Sequence, residues 1–234
     1  MAGTVARGCV DDLDLRHMVE NGPSLEPLPS ATPPMSRDRP RSPETGVIVI
    51  FTHDAEHALA TVVDLINTAP EAAGAERLGD LDGLRAFVDR NSFSDVRELT
   101  GRDLAQVRGL RSRFHAVFGA TEVPAAVEMI NDIVGGVRTT PHLTDHDGHD
   151  WHVHFFAPGA PLGEHLAADC GMALAYVVAA GELDRLRTCE APDCSRVLVD
   201  LSRNRCRRYC DSRTCGNRMH VAAYRARQRE AASP

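Results

Sequence analysis

Apolar residues recur at helical spacing through most of the middle of this chain. The longest stripe follows Thr100 and fits a period of about 3.6 residues. Its members are Leu104, Val107, Leu110, Phe114, Val117 and Phe118. Thr100, with Asp103 three residues later, predicts a capping box at the start of this helix. Shorter stripes predict two earlier helices, one from residue 52 to residue 66 and one over residues 81–88.

Proline and glycine mark the bounds of two later helices. Pro124 suits the first turn of a helix that stops at the Gly135-Gly136 pair. Pro161 opens a long apolar helix that ends near residue 180. Both segments are long enough to pack as core helices.

Two strand-like segments lie between these helices. Residues 139–143 and 151–156 flank an Asp147-Gly148 turn signal, which predicts a β-hairpin. A short apolar run over residues 47–51 predicts a further strand. The pattern as a whole predicts an α+β fold that is mostly α. A helical N-terminal domain with a small β-hairpin or sheet precedes a small four-cysteine module that ends in a basic helix.

Composition divides the chain into three parts. Residues 1–46 hold seven of the fourteen prolines and show no helical period, which predicts a disordered start. Residues 47–183 form the predicted helical domain, and residues 184–234 form the cysteine-rich module. No apolar run approaches the roughly 18–20 residues that span a bilayer, and no secretory signal pattern opens the chain. We therefore expect a cytoplasmic protein with no membrane partner.

Four of the seven cysteines have metal-ligand spacing. Cys189 and Cys194 form one close pair, and Cys210 and Cys215 form a second after a short loop. Two such pairs bring four thiolates to one tetrahedral Zn²⁺ at roughly 2.3 Å each. A site filled by thiolates is structural, and metal binding would supply most of the folding free energy of so small a module. The alternative is four reduced, unligated cysteines.

The net charge of −7 hides an asymmetry between the two ends of the chain. Residues 1–183 hold 14 arginines against 27 acidic residues, whereas residues 184–234 hold 12 arginines against 6. The chain contains no lysine. An acidic body with a basic terminal module is typical of proteins that contact nucleic acid locally.

The cysteine-rich module resembles the bacterial CGNR zinc fingers. Residues 215–218 read Cys-Gly-Asn-Arg, and residues 200–205 and 207–210 are similar to the rest of that motif. Upstream segments are similar to landmarks of the ABATE domain that usually accompanies this finger, among them residues 64–68 and 147–151. The resemblance covers about residues 50–230 and implies a stress-induced transcription regulator whose finger binds DNA. Tyr209, His220 and Cys206 depart from the usual Trp, Lys and Ser of the family.

Seven arginines of the module are predicted to contact double-stranded DNA. They are Arg203, Arg205, Arg207 and Arg208 in the loop, and Arg218, Arg225 and Arg229 on a helix over residues 217–230. At about 100° per residue, the three helical arginines fall within about 40° of each other. The alternative is a solvated arginine face, and Asn217 and Arg218 could instead hydrogen-bond the thiolates. Because one finger is small, we expect a homodimer.

The predicted hairpin is rich in histidine and aspartate. His149, His152 and His154 form a candidate second metal or ligand site, because imidazoles at alternate strand positions share a face. The alternative is a polar hairpin face. Cys206 could exchange with a zinc ligand under oxidation, although a free thiol is the simpler interpretation. Cys170 is predicted to lie in the core.

The sequence is compatible with three functions. The leading one is a zinc-dependent, DNA-binding transcription regulator whose upstream domain senses a small-molecule or metal effector or mediates dimerisation. The second is an interaction module whose finger binds protein or RNA. The third, a metalloenzyme using the histidine hairpin, is disfavoured because the chain has no HExxH, phosphate-loop or GxSxG motif. We therefore do not expect an enzyme.

Overall fold

The computed structural model describes residues 53–93, 96–145 and 151–231, and most of them are helical. The α-helices in chain order are α1 (His53–Ile66), α2 (Pro70–Ala73), α3 (Leu81–Arg90), α4 (Gly101–Phe118), α5 (Val123–Gly135), α6 (Leu162–Ala179) and α7 (Asn217–Ala231).

Two antiparallel hairpins complete the described fold. The first pairs β1 (Thr139–Thr144) with β2 (His152–Phe156), and the second pairs β3 (Leu186–Thr188) with β4 (Val197–Val199). One π-helical turn, Ser212–Gly216, leads into α7. The predicted class, mostly helical with small hairpins and a terminal basic helix, is confirmed.

The helix termini follow the sequence signals closely. The Thr100 hydroxyl accepts a hydrogen bond from the Asp103 amide, and the Asp103 carboxylate accepts one from the Thr100 amide, so the predicted capping box is confirmed. Helix α5 ends at Gly135, and α6 begins directly after Pro161, also as predicted. The β3–β4 hairpin was not predicted, because strands of three residues are too short to show an alternating pattern.

Several predictions are untested by this structure. The strand over residues 47–51, the disordered segment over residues 1–46 and the Asp147-Gly148 turn lie outside the described residues. The division into domains over residues 47–183 and 184–234 also stays a prediction.

Helix α6 lies at the centre of the helical body. It contacts α1, α4, α5 and β2. Its buried side chains include Leu166, Ala167, Cys170, Ala173, Leu174 and Val177. Gly171 allows α5 to approach closely, because a Cβ atom there would lie 2.6 Å from a methyl carbon of Val134. None of the helices in the described ranges has the length and apolar character needed to cross a membrane.

Asn67 forms one of the hydrogen-bonded links between the cysteine-rich module and the helical body. The side-chain amide of Asn67, just after α1, donates to the Val197 carbonyl at 3.0 Å and accepts from the Val197 amide at 2.9 Å. Asn67 thus satisfies the edge of β4 as a neighbouring strand would. Leu186, Val197 and Val199 are buried in the same apolar core as the helices. The start of the module is therefore fixed against the body.

We expect Asn67→Ala to weaken this joint. The change leaves the backbone amide and carbonyl of Val197 without their partners, which costs about 1–3 kcal/mol. For a chain of this size the midpoint of thermal unfolding should fall by several degrees, at about 2–4 °C per kcal/mol. Asn131→Ala, at an exposed position of α5, is the matched control and should leave the midpoint unchanged. Equal midpoints for both variants would contradict this account of the joint.

Candidate metal centre and nucleic-acid interface

The first cysteine pair is held by the β3–β4 hairpin. Cys189 directly follows β3, and its amide donates to the Arg196 carbonyl at 2.8 Å, just before β4. The Cys194 amide donates to the Ala191 carbonyl at 3.1 Å, which closes a tight turn between the two cysteines. Hydrogen bonds of the hairpin therefore point both thiols to one side.

The second pair is held by the π-helical turn before α7. The Asp211 carboxylate accepts from the Thr214 amide at 2.7 Å and so caps this turn. Gly216 allows it to close, because a Cβ atom there would lie 3.3 Å from the Asp211 carbonyl oxygen. Cys210 directly precedes the capping residue Asp211, and Cys215 lies within the capped turn. The Cys210 amide also donates to the Cys189 sulfur at 3.3 Å, which links the two pairs.

The four sulfur atoms have the geometry of a metal site. The Sγ atoms of Cys189, Cys194, Cys210 and Cys215 all lie within 4.8 Å of one another. The Cys194 and Cys210 sulfurs are 3.8 Å apart. A tetrahedron with Zn–S bonds of about 2.3 Å has edges of about 3.8 Å, which is the Cys194–Cys210 separation, so an ion fits between these sulfurs after small shifts of the other side chains. The structure thus brings together all four predicted ligands.

Thiols this close together need a cation to ionise jointly. Burial and the neighbouring cysteines raise the pKa of the Cys210 thiol, and burial raises that of Cys194. Burial opposes ionisation of Cys189 as well, but hydrogen bonds from the Ala191 and Cys210 amides lower its pKa. A divalent ion would offset the mutual repulsion of the thiolates and displace their protons. The donor set therefore suits a soft or borderline metal such as Zn²⁺.

A buried aspartate orders the loop that precedes the second pair. The Asp200 carboxylate is fully buried and accepts from the Ser202 amide at 3.0 Å and from the Arg207 amide at 2.8 Å. Burial would raise the pKa of this carboxyl, but these hydrogen bonds and the nearby Arg187 guanidinium lower it. Asp200 thus stays ionised and fixes the chain three residues before Cys210.

The same polar cluster continues towards the end of α6. The buried Arg185 guanidinium donates to the Glu182 carboxylate at 2.9 Å and to the carbonyls of Asp200 and Ser202 at 2.6 and 3.0 Å. Glu182 also accepts from Arg205 at 2.6 Å. The loop is therefore tied to the helical body by charged hydrogen bonds as well as by apolar packing.

The predicted DNA-contacting arginines of the loop differ in their surroundings. Arg205 pairs with Glu182, and Arg207 donates to the Cys210 carbonyl at 2.6 Å. Arg208 pairs with the exposed Glu190 at 2.6 Å. No hydrogen bond or ion pair links the exposed Arg203 to any residue that the structure describes. Three of these arginines therefore also support the fold of the loop.

The three helical arginines share the predicted face of α7. Arg218 lies 4.0 Å from the Cys215 sulfur and 3.7 Å from the Asp193 carboxylate, so it sits next to the predicted metal ligands. Arg225 and Arg229 lie farther along the helix and are exposed. Arg225 has no hydrogen bond or ion pair within the described ranges. The face thus begins at the metal site and continues as exposed positive charge.

The histidine-rich hairpin forms a second cluster of metal-ligand side chains. His152 and His154 lie 3.2 Å apart through their Nε2 atoms, whereas His149 lies outside the described residues. The structure adds two residues of α6, His165 and Asp169, whose ligand atoms lie within 4.8 Å of each other and of His154. Sequence reasoning missed this pair, although its i,i+4 spacing on a helix was a usable signal.

Comparisons with known families agree with this geometry. Residues 59–181 match the ABATE family, described as "Putative stress-induced transcription regulator", and residues 185–228 match the CGNR zinc finger. The ABATE match alone covers more than half of the chain. Neither family is described as an enzyme family. No curated protein matches the chain.

We expect Asp200→Ala to weaken metal retention by the four cysteines. The change removes the acceptor of the Ser202 and Arg207 amides and the carboxylate that pairs with Arg187 at 3.5 Å, at a cost of about 3 kcal/mol. Metal release to a chelator should be at least several-fold faster than in the unchanged chain. Asp184→Ala is the matched control, because that side chain is exposed and lies outside the segments that carry the cysteines. Identical release rates for both variants would show that Asp200 does not support the site.

Proposed function

Because this chain belongs to the ABATE family and carries a CGNR zinc finger, we propose that it is a zinc-dependent transcription regulator that binds double-stranded DNA. The observation that carries the proposal is the arginine face of α7, which starts at the four-cysteine site and extends into solvent. Many proteins that bind duplex DNA use a metal-bound turn to hold a basic helix in place.

Zinc is the proposed ion. Four thiolates at tetrahedral spacing leave no open coordination position, so the ion would stabilise the fold and take no part in catalysis. The core of the finger is small, with only Cys189, Ala191 and Leu198 fully enclosed among the described residues of that cluster. Metal binding would therefore supply much of the folding free energy of the finger. We place the protein in the cytoplasm, where thiols remain reduced.

The proposed DNA contact centres on Arg203, Arg225 and Arg229. Guanidinium groups bind phosphates and guanine edges through two parallel hydrogen bonds. Arg208 can join them, since its exposed pair with Glu190 is of the kind that contributes less than about 1 kcal/mol. Arg218 would mainly position the metal-bound turn while its outer edge remains available to a phosphate.

The upstream domain is proposed to pair two copies of the chain. The outer face of the first hairpin is apolar and exposed, with Trp151 at 70%, Leu143 at 66% and Val153 at 40%. Tyr176 of α6 continues this face, next to Phe155. We define these five residues as the hairpin face. Side chains of this type are enriched at protein interfaces, and a second copy would cover them symmetrically.

The two alternatives have less support in the structure. A finger that binds single-stranded RNA needs exposed aromatic rings for stacking, and the finger offers only Tyr224 and the half-buried Tyr209. A protein partner would use the same arginine face without a preference for nucleic acid. A metalloenzyme would need a positioned general base beside an open metal site. A small-molecule or metal effector of the upstream domain is part of the proposal.

Selection from a random duplex library tests the proposal directly. Zinc-loaded protein at near-physiological salt should enrich one DNA motif, and chelation should abolish the enrichment. A palindromic motif would indicate that a dimer reads it. If folded, zinc-loaded protein enriches nothing, the finger is not a sequence-specific DNA-binding module.

We expect Arg225→Ala combined with Arg229→Ala to weaken duplex binding without loss of zinc. Each lost phosphate contact should reduce the slope of log affinity against log salt by about 0.9. Arg227→Ala is the matched control, because residue 227 lies about 180° from the arginine face on the same helix. Binding should be measured by fluorescence anisotropy at several salt concentrations. An equal loss in the control and the double variant would contradict a defined DNA-contacting face.

We expect Trp151→Asp to dissociate the proposed homodimer. A charge placed at the centre of an apolar interface must be desolvated when two copies associate, which costs several kcal/mol. Sedimentation equilibrium should give a dimer for the unchanged chain and a monomer for the variant. Val123→Asp, at a 47% exposed position of α5, should remain dimeric. A monomeric unchanged chain would contradict the pairing.

A further inference from the structure

We infer that His154, His165 and Asp169 bind a divalent transition-metal ion in the upstream domain, separate from the four-cysteine site. The three residues come from two packed elements, β2 and α6. Two imidazoles and one carboxylate are a donor set that suits zinc, nickel, copper or iron. This inference does not depend on DNA binding by the finger.

The donor atoms of the three residues lie close enough together to surround one ion. The Asp169 Oδ2 atom lies 2.7 Å from His154 Nδ1 and 3.4 Å from His165 Nε2. For metal–ligand bonds of about 2.1 Å, neighbouring ligand atoms are about 3.0 Å apart in an octahedral site and about 3.4 Å apart in a tetrahedral one. An ion can therefore replace the protons shared within this cluster after small shifts of the side chains.

Histidines, and no arginine among the described residues, surround the carboxylate of this cluster. Asp169 is largely buried, and the described residues that contact its oxygens are two histidines and the Phe155 amide at 2.8 Å. Buried charges in proteins are normally paired or bound to metal. No arginine of the described chain pairs with this carboxylate.

Neighbouring groups orient the proposed ligands. The Phe155 amide holds Asp169 Oδ1, which leaves Oδ2 for the cluster. His152 Nε2 lies 3.2 Å from His154 Nε2 and so fixes the outer side of that ring. His165 stacks on Phe156 with 3.6 Å between ring centres. A partner on the second nitrogen and a restricted ring are typical of metal-binding histidines.

A cavity lies beside the cluster and would supply further coordination positions. Its volume is about 130 Å³, and its lining includes His142, His154, His165 and Arg97. That space holds water or a small oxygen ligand. The Arg97 charge is offset by Asp103, whose carboxylate lies 3.0 Å away, so repulsion of an incoming cation is reduced. The proposed site therefore remains reachable by small ligands.

The test is uptake of Co²⁺ by the full chain after its cysteine site has been filled with zinc. We expect one further equivalent to bind, with absorption bands of nitrogen and oxygen coordination and no thiolate charge-transfer band. His165→Gln and Asp169→Asn should each weaken this uptake at least about tenfold, because one of three protein ligands is lost. His115→Gln, at an exposed position of α4, should bind as the unchanged chain does.

Each outcome decides the inference. Zinc content and circular dichroism establish that each variant is folded, and His165→Gln carries the test if Asp169→Asn does not fold. Failure of the unchanged chain to take up a second equivalent overturns the site. Undiminished uptake by both folded variants also overturns it and would assign the metal to other histidines. Loss of uptake in His115→Gln would show that the binding is nonspecific.

Discussion

Four thiols brought to one point hold the C-terminal part of this chain together. Burial and the mutual repulsion of thiolates oppose joint ionisation, so the cluster suits a bound cation, which we propose as the interaction that stabilises the finger. The fold prepares the point before any ion binds, because backbone hydrogen bonds of a hairpin and a capped turn aim the sulfurs at each other. Cys210 links the halves directly, since its amide contacts the Cys189 sulfur. Helix α7 starts just after the second cysteine pair, which sets the direction of the helix.

The first residues of the finger pack into the apolar core of the helical body. Asn67 completes the edge of β4, which contacts α1, and the valines of β4 are buried in the apolar core of the helices. The buried Arg185 adds charged hydrogen bonds between the end of α6 and the loop. A change in the position of α6 would therefore shift the first cysteine pair. This continuity gives a physical route by which the upstream domain could influence the finger.

Side chains alternate along the strands of the first hairpin, which therefore has histidines on one face and apolar residues on the other. His152 and His154 face α6, whereas Trp151 and Val153 point away from it and are exposed. A two-stranded hairpin is marginally stable alone, so its packing on α6 fixes the register that keeps the faces distinct. Hydrogen bonds from the hairpin to Asp169 strengthen that packing. The same register supports both the proposed pairing face and the proposed metal cluster.

The sequence by itself determined the features that depend on residue spacing within short segments. The capping box at Thr100, the first hairpin and the four-cysteine cluster are patterns within short segments, where periodicity and cysteine spacing leave few alternatives. The tertiary structure alone decided which distant groups meet. It placed Asn67 against Val197 and brought Asp169 to the histidines of β2, because such pairings depend on how α1 and α6 pack. The energy of packing comes from many weak contacts between residues that are distant in sequence, and no local sequence pattern specifies these contacts.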